Sequence, residues 1–161
     1  MSFRFSSNIA DVFLSSKTAT TAKVTGNNTF YMVVYDTEKF DKNNSFDNTT
    51  GVFTCKASGI YAFSAVVGYN ALDAAHVRHD SYLFHKDSGG TTIGVYGTTA
   101  NAYACSASGG NLTVPLQCQV EMVEGDTMEV QSNVSGGAKT VGIYGSALSN
   151  GSTYFSGHLL A

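Results

Sequence analysis

The 161-residue chain is 43% hydrophobic but only 13% charged, with a formal net charge of −3; the usual charged fraction is about 25%. This balance excludes a disordered chain, gives no electrostatic footprint for nucleic acid, and includes no apolar run near the roughly 20 residues of a membrane span. A domain of this size buries roughly 70% of the surface its unfolded form exposes, so its core needs no metal or disulfide.

The opening residues lack the charged start and long apolar stretch of a signal peptide. Residues 1–11 read as a lead-in and 12–161 as one globular domain. Ser15 to Thr21 is rich in Ser, Thr and Ala and reads as a weak edge. After the turn Gly26-Asn27-Asn28, the β-branched and aromatic run Phe30 to Tyr35 predicts a strand. Turns follow at Asn48 to Gly51 and Ser58-Gly59, and then Tyr61 and Phe63 alternate as on a strand with one buried face. Further turns fall at Ser88-Gly89-Gly90 and Ser108-Gly109-Gly110. From Leu112 to Met122 every second residue is apolar or Cys, which predicts one long strand or two joined at Pro115; proline there prefers an edge. Met128 and Val130 keep the step after the turn Glu124-Gly125-Asp126. Ser135-Gly136-Gly137 and Asn150-Gly151-Ser152 close the series. Eight to ten short strands and no convincing helix mean a sandwich, jelly roll or barrel.

One stretch is more specific. Tyr35, Asp41, Phe46, Phe53, Gly59, Tyr61, Phe63 and Ala65 follow one another at spacings that closely resemble the aromatic motif of the C1q-like globular domain. That family wants Phe where Tyr35 stands and an aromatic where Ala65 stands. Met122 to Val130 resembles its late hairpin around a Gly-Asp turn, and Ser152 to Leu160 its closing strand. The resemblance implies a ten-stranded jelly roll shared with the tumour-necrosis-factor ligands, and a compact homotrimer. Phe46, Phe53, Tyr61, Phe63 and Phe155 are then expected in the core or at the trimer interface. Some relatives hold Ca²⁺ near the trimer apex through the oxygen ligands it prefers; Asp73, Asp80 and Asp87 lie in that kind of region. A family disulfide from the position of Cys55 has no second cysteine here. Cys55, Cys105 and Cys118 are an odd set without a Cys-x-x-Cys pair.

Candidate sites are sparse. His76 and His79 would share a helix face, but on a strand they point to opposite faces, so they read as ordinary surface or interface histidines. There is no Gly-x-Ser-x-Gly, no pairing of nucleophile with base, and nothing near Cys105 to lower its pKa, so no enzyme is expected. Tyr69, Tyr96, Tyr103, Asn101 and Asn111 offer the apolar faces and amide forks that suit sugars, against a reading of the tyrosines as core or interface. Arg78 could grip a sialic-acid carboxylate or pair with an acid across the trimer interface. The first candidate ligand contacts are Arg78, His76, Asn101 and Tyr103. Asn-x-Ser/Thr acceptors stand at Asn27, Asn43, Asn48, Asn111, Asn133 and Asn150. The expected function is lectin-like binding of carbohydrate or microbial surfaces, outside the cell, by a stand-alone trimeric head. A structural or adhesive head and a cytokine-like signalling ligand are the alternatives.

Overall fold

The computed structural model describes residues 11–101, 110–147 and 152–160. Among these there is no helix, and none long and apolar enough to cross a membrane. The two-residue period organises the whole structure. In β10 (Gly110–Met122), Leu112, Val114, Leu116, Cys118, Val120 and Met122 turn inward, while Asn111, Thr113, Pro115, Gln117, Gln119 and Glu121 are exposed. It is one strand running through Pro115. Among the described residues it pairs only with β7 (Gly59–Leu72), so the proline sits on a sheet edge where its missing N–H breaks no ladder.

β7 is the axis of a seven-stranded sheet. One side carries β10; the other carries β13 (Tyr154–Leu159) and, further along, β12 (Val141–Ile143). β1 (Val12–Ser16) pairs with β13 and with β4 (Thr37–Asp41), and β2 (Thr21–Thr25) closes the far edge against β12. Along β7 the inward set is Tyr61, Phe63, Ala65, Val67 and Tyr69, and the next inward residue is Leu72. The phase change falls at Ala71, whose φ is +59°, opposite a register slip between Gly110 and Leu112. This is a bulge, the device that lets a long strand bend without losing its buried face.

The second sheet has six strands. β11 (Thr127–Ser135) lies between β8 (Arg78–Lys86) on one side and β6 (Val52–Thr54) and β3 (Phe30–Met32) on the other. β9 (Thr92–Asn101) flanks β8, and β5 (Phe46–Asp47) flanks β6. The two sheets form an all-β jelly-roll sandwich. The described residues form thirteen strand segments where ten strands were expected, and β3, β5, β6 and β12 are pieces of two or three residues. Two local expectations are corrected. The strand predicted over Phe30 to Tyr35 ends at Met32. Ser15 and Ser16 belong to β1, inside the sheet, where the buried Ser15 hydroxyl lies 3.1 Å and 3.0 Å from the Tyr35 and Thr37 carbonyls.

Between the sheets, Phe13 stacks on Phe46 at 4.8 Å and on Phe53 at 5.1 Å, and meets Phe155 edge-on at 5.0 Å. Phe53 meets Phe63 edge-on at 5.1 Å. Phe46, Phe53, Tyr61, Phe63 and Phe155 are all buried in this one core. Gly157 makes the crowding possible: a Cβ there would lie 2.6 Å from the Phe63 ring and 2.7 Å from Phe13. At the edge of the cluster Tyr61 shares its hydroxyl proton between Asp11 Oδ2 at 2.9 Å and the Ala57 carbonyl at 2.8 Å, and Ser45 donates to the other Asp11 oxygen. Asp11, just before β1, is therefore anchored in the fold.

Phe63→Ala is predicted to cost about 3–5 kcal/mol, the range for emptying an aromatic site in a core. Gly157→Ala is predicted to cost about 1–3 kcal/mol by overpacking the same rings. Urea unfolding measures both; a midpoint unchanged by either substitution removes the core assignment of that residue.

Candidate functional site

β8 reads poorly as a sequence because its inward positions are polar. His79, Ser81, Leu83 and His85 are buried, while Arg78, Tyr82, Phe84 and Lys86 reach the outer face of the six-stranded sheet. Asp80 shares that outer face and is nonetheless fully buried. Arg78 covers it, donating from Nε and Nη2 at 2.8 Å each to Asp80 Oδ2; Thr99, opposite on β9, donates to Oδ1 at 2.7 Å. At the other end of the strand Lys86 donates to Glu129 Oε1 at 2.8 Å, and Gln131 donates to the same oxygen at 2.6 Å. Between the two ion pairs stand aromatic rings. Tyr82 lies 6.1 Å from Phe30 and 6.0 Å from Phe84, centroid to centroid. Burial, and then the Asp80 carboxylate, raise the Tyr82 phenol above its ordinary range, so it remains a neutral hydrogen-bonding group.

The expected contacts divide. Arg78 is half exposed, and its ion-pair partner is an acid of its own chain. Asn101 lies directly opposite Arg78 in the β8–β9 register. Tyr103 and Cys105 lie outside the described residues. His76 is not on a strand: it occupies the turn between β7 and β8 and is buried. Its Nε2 is 3.0 Å from the Ala138 carbonyl, and its Nδ1 is 3.1 Å from the Asp73 amide and 2.9 Å from the Asp73 carboxylate. His79 is buried as well, tilted against Tyr69 at 5.6 Å, with neither ring nitrogen hydrogen-bonded. Both histidines are buried within the chain, where the sequence suggested surface or interface histidines. Tyr69 is a core residue whose hydroxyl lies 2.7 Å from Ser81 Oγ and 3.0 Å from the Asp80 carbonyl. Tyr96 is partly buried against the core, and Asn111 is exposed on β10.

Asp73, Asp80 and Asp87 do not converge on a calcium site. Asp73 binds the Ala75 amide and His76 in one turn, Asp87 accepts from the Gly89 and Thr91 amides in the turn at the opposite end of β8, and Asp80 is neutralised by Arg78. No group of three His, Cys, Asp or Glu residues suited to a metal ion occurs among the described residues. Burial pushes the Cys118 thiol up to about 11 and raises Cys55 too, so both stay protonated at neutral pH. The outer face of the seven-stranded sheet holds a shallow depression of about 310 Å³ lined by Ala62, Ser64, Gln117, Gln119, Ser156 and His158, beside Phe63 and Cys118. Phe30, Tyr82, Gln131 and Asn133 were not among the contacts expected from sequence. Their shared face follows from strand pairing, and only the pairing of β11 with both β8 and β3 would have revealed it.

Burial holds His79 below the ordinary imidazole range. Its folded pKa therefore lies below the unfolded value of 6.5, and the neutral ring favours the fold. That contribution is complete above pH 6.5 and is lost as pH falls below it, because the unfolded chain takes up the proton first. The predicted outcome is a urea midpoint that declines below pH 6.5 in the natural chain and declines less steeply in His79→Gln; parallel slopes remove His79 as the cause.

The family model for the C1q domain matches residues 15–160. Among solved structures, the globular domain of zebrafish complement 1qA protein superposes with a TM-score of 0.62 at 16% identity, over 94% of this chain and 98% of that one. The Eiger TNF from S. frugiperda gives 0.60 at 9% identity, over 96% and 94%. Murine APRIL gives 0.57 at 10% identity, over 94% and 99%. At these identities the structural likeness shows the fold alone. No curated protein sequence matches the chain.

Proposed function

The chain belongs to the C1q domain family, and on that premise we propose that it is a non-catalytic recognition module that binds carbohydrate or microbial surfaces outside the cell as a homotrimer. The observation that carries this reading is the outer face of the six-stranded sheet. There, aromatic rings stand exposed between ion pairs already satisfied within the chain. Such a face offers apolar stacking and hydrogen bonds, and no activated nucleophile or base. Both described thiols are held protonated, and His76 is buried with its nitrogens engaged, so the chemistry supported is binding. Of the contacts expected from sequence, the proposal keeps Arg78.

Self-association suits the exposed apolar residues elsewhere. Ile93 and Val95 lie on the edge strand β9; Ile60 and Leu160 are neighbours at one end of the seven-stranded sheet, joined by the Leu160 amide to the Ile60 carbonyl. Two unlike patches make a heterologous contact, which closes into a ring when repeated with threefold symmetry. A trimer also raises weak single-site affinity for a repeating ligand without adding contacts. A cytokine-like signalling ligand is the second reading, since the fold is shared with APRIL and Eiger TNF.

Sedimentation equilibrium is predicted to give three times the 17.0 kDa chain mass, and a stable monomer at micromolar concentration would remove the trimer. A glycan array probed with and without Ca²⁺ is predicted to give binding that Arg78→Ala weakens by releasing Asp80. If no glycan or microbial polysaccharide binds, the recognition reading fails; if binding is indifferent to Arg78, recognition stands without that residue.

A further inference from the structure

The outer face of the six-stranded sheet carries an aromatic pair that the core does not use. Phe30 is 54% exposed, yet its ring is held 6.1 Å from that of Tyr82, at 29°. The two residues belong to strands on opposite sides of β11, so the pair spans that strand. Tyr82 is seated against its other neighbour. A Cβ at Gly97, its register partner on β9, would fall 2.4 Å from the ring, so the glycine leaves the recess that the ring fills. A platform ordered in advance loses little freedom when a ligand arrives.

The polar groups around it have a particular character. Gln131 and Asn133 stand on β11, opposite Tyr82 and Asp80 in the register. Asn133 is 6% exposed, its amide nitrogen reaches the Asn28 carbonyl at 3.4 Å, and its buried Oδ1 has no hydrogen-bond partner among the described residues. The charges are closed: Arg78 is committed to Asp80 and Lys86 to Glu129. A carboxylate arriving here would have to compete with Asp80 for the guanidinium. A neutral ring with one apolar face and several hydroxyls meets no such competition.

We infer that this face is the carbohydrate contact surface and that it takes neutral pyranose units in preference to acidic ones, stacked on Phe30 and Tyr82 with hydroxyls meeting Gln131. The inference rests on the recognition reading above and narrows it to a face and a ligand class.

The test uses the full chain against immobilised mannan and β-1,3-glucan as neutral probes and polysialic acid as the acidic one. The natural chain is expected to bind at least one neutral polymer more tightly than polysialic acid. Tyr82→Ala and Phe30→Ala should each weaken that binding about tenfold, the loss of roughly 1.4 kcal/mol of contact. Because a variant could lose its fold, saturation-transfer NMR on the natural chain supplies a second readout, with transfer expected from aromatic ring protons to the glycan. Unchanged binding in folded Tyr82→Ala and Phe30→Ala overturns the face and leaves recognition standing. Tighter binding of polysialic acid overturns the ligand class. A change in oligomeric state with unchanged glycan binding makes the face a protein contact and overturns the inference. Absence of binding to every probe and to a wider array removes the recognition reading and this inference together.

Discussion

Four rings converge on Phe13, and the room for them comes from a missing side chain at Gly157. Phe46 and Phe53 stack on Phe13 from the six-stranded sheet, Phe155 meets it edge-on, and Phe63 is 6.5 Å away. These rings come from β1, β5, β6, β7 and β13, so the cluster ties both sheets at once. Each ring buries a large apolar area and also fixes an orientation for the next. The register of β13 on β7, which sets Gly157 opposite Phe63, is thus tied to the packing of the core.

The outer surfaces depend on that order. The inward set of β11, from Met128 to Val134, turns Glu129, Gln131 and Asn133 to the other side. The bulge at Ala71 lets β7 run on to Leu72 without exposing it, and the turn that follows carries His76 into a buried position. What the protein presents to its surroundings is therefore set by which residues the core has claimed.

The fold was legible where side-chain polarity and side-chain direction agree. The run Leu112 to Met122 gave a strand in the correct phase, and the Tyr35 to Ala65 spacing gave the family. Legibility ended where polar residues face inward. His79, Ser81 and His85 are buried partners within the sandwich, whereas Tyr82 and Phe84 look outward, so the polarity of β8 runs against its geometry. Asp80 is hidden under Arg78, and neither hydropathy nor spacing reveals a two-residue ion pair on one face of a strand. Phe30 lies in an unbroken apolar run, where no alternation marks the side that faces solvent. Arg78 was singled out because a rare, planar cation stands out by type; the residues beside it were not, because their proximity is made by pairing between distant segments.

The pairing of β1 with β13 sets the chain's first described strand beside its last, along five consecutive partners from Val12–His158 to Ser16–Tyr154. During synthesis the sheet cannot be completed until the final strand has left the ribosome. Until then the β1 backbone and the Phe13 ring lack the partner that covers them. Such distant closure makes folding slow relative to chains built from local contacts. It leaves the nascent chain reliant on its polar turns and on the proline-bearing edge of β10 to avoid pairing with other chains.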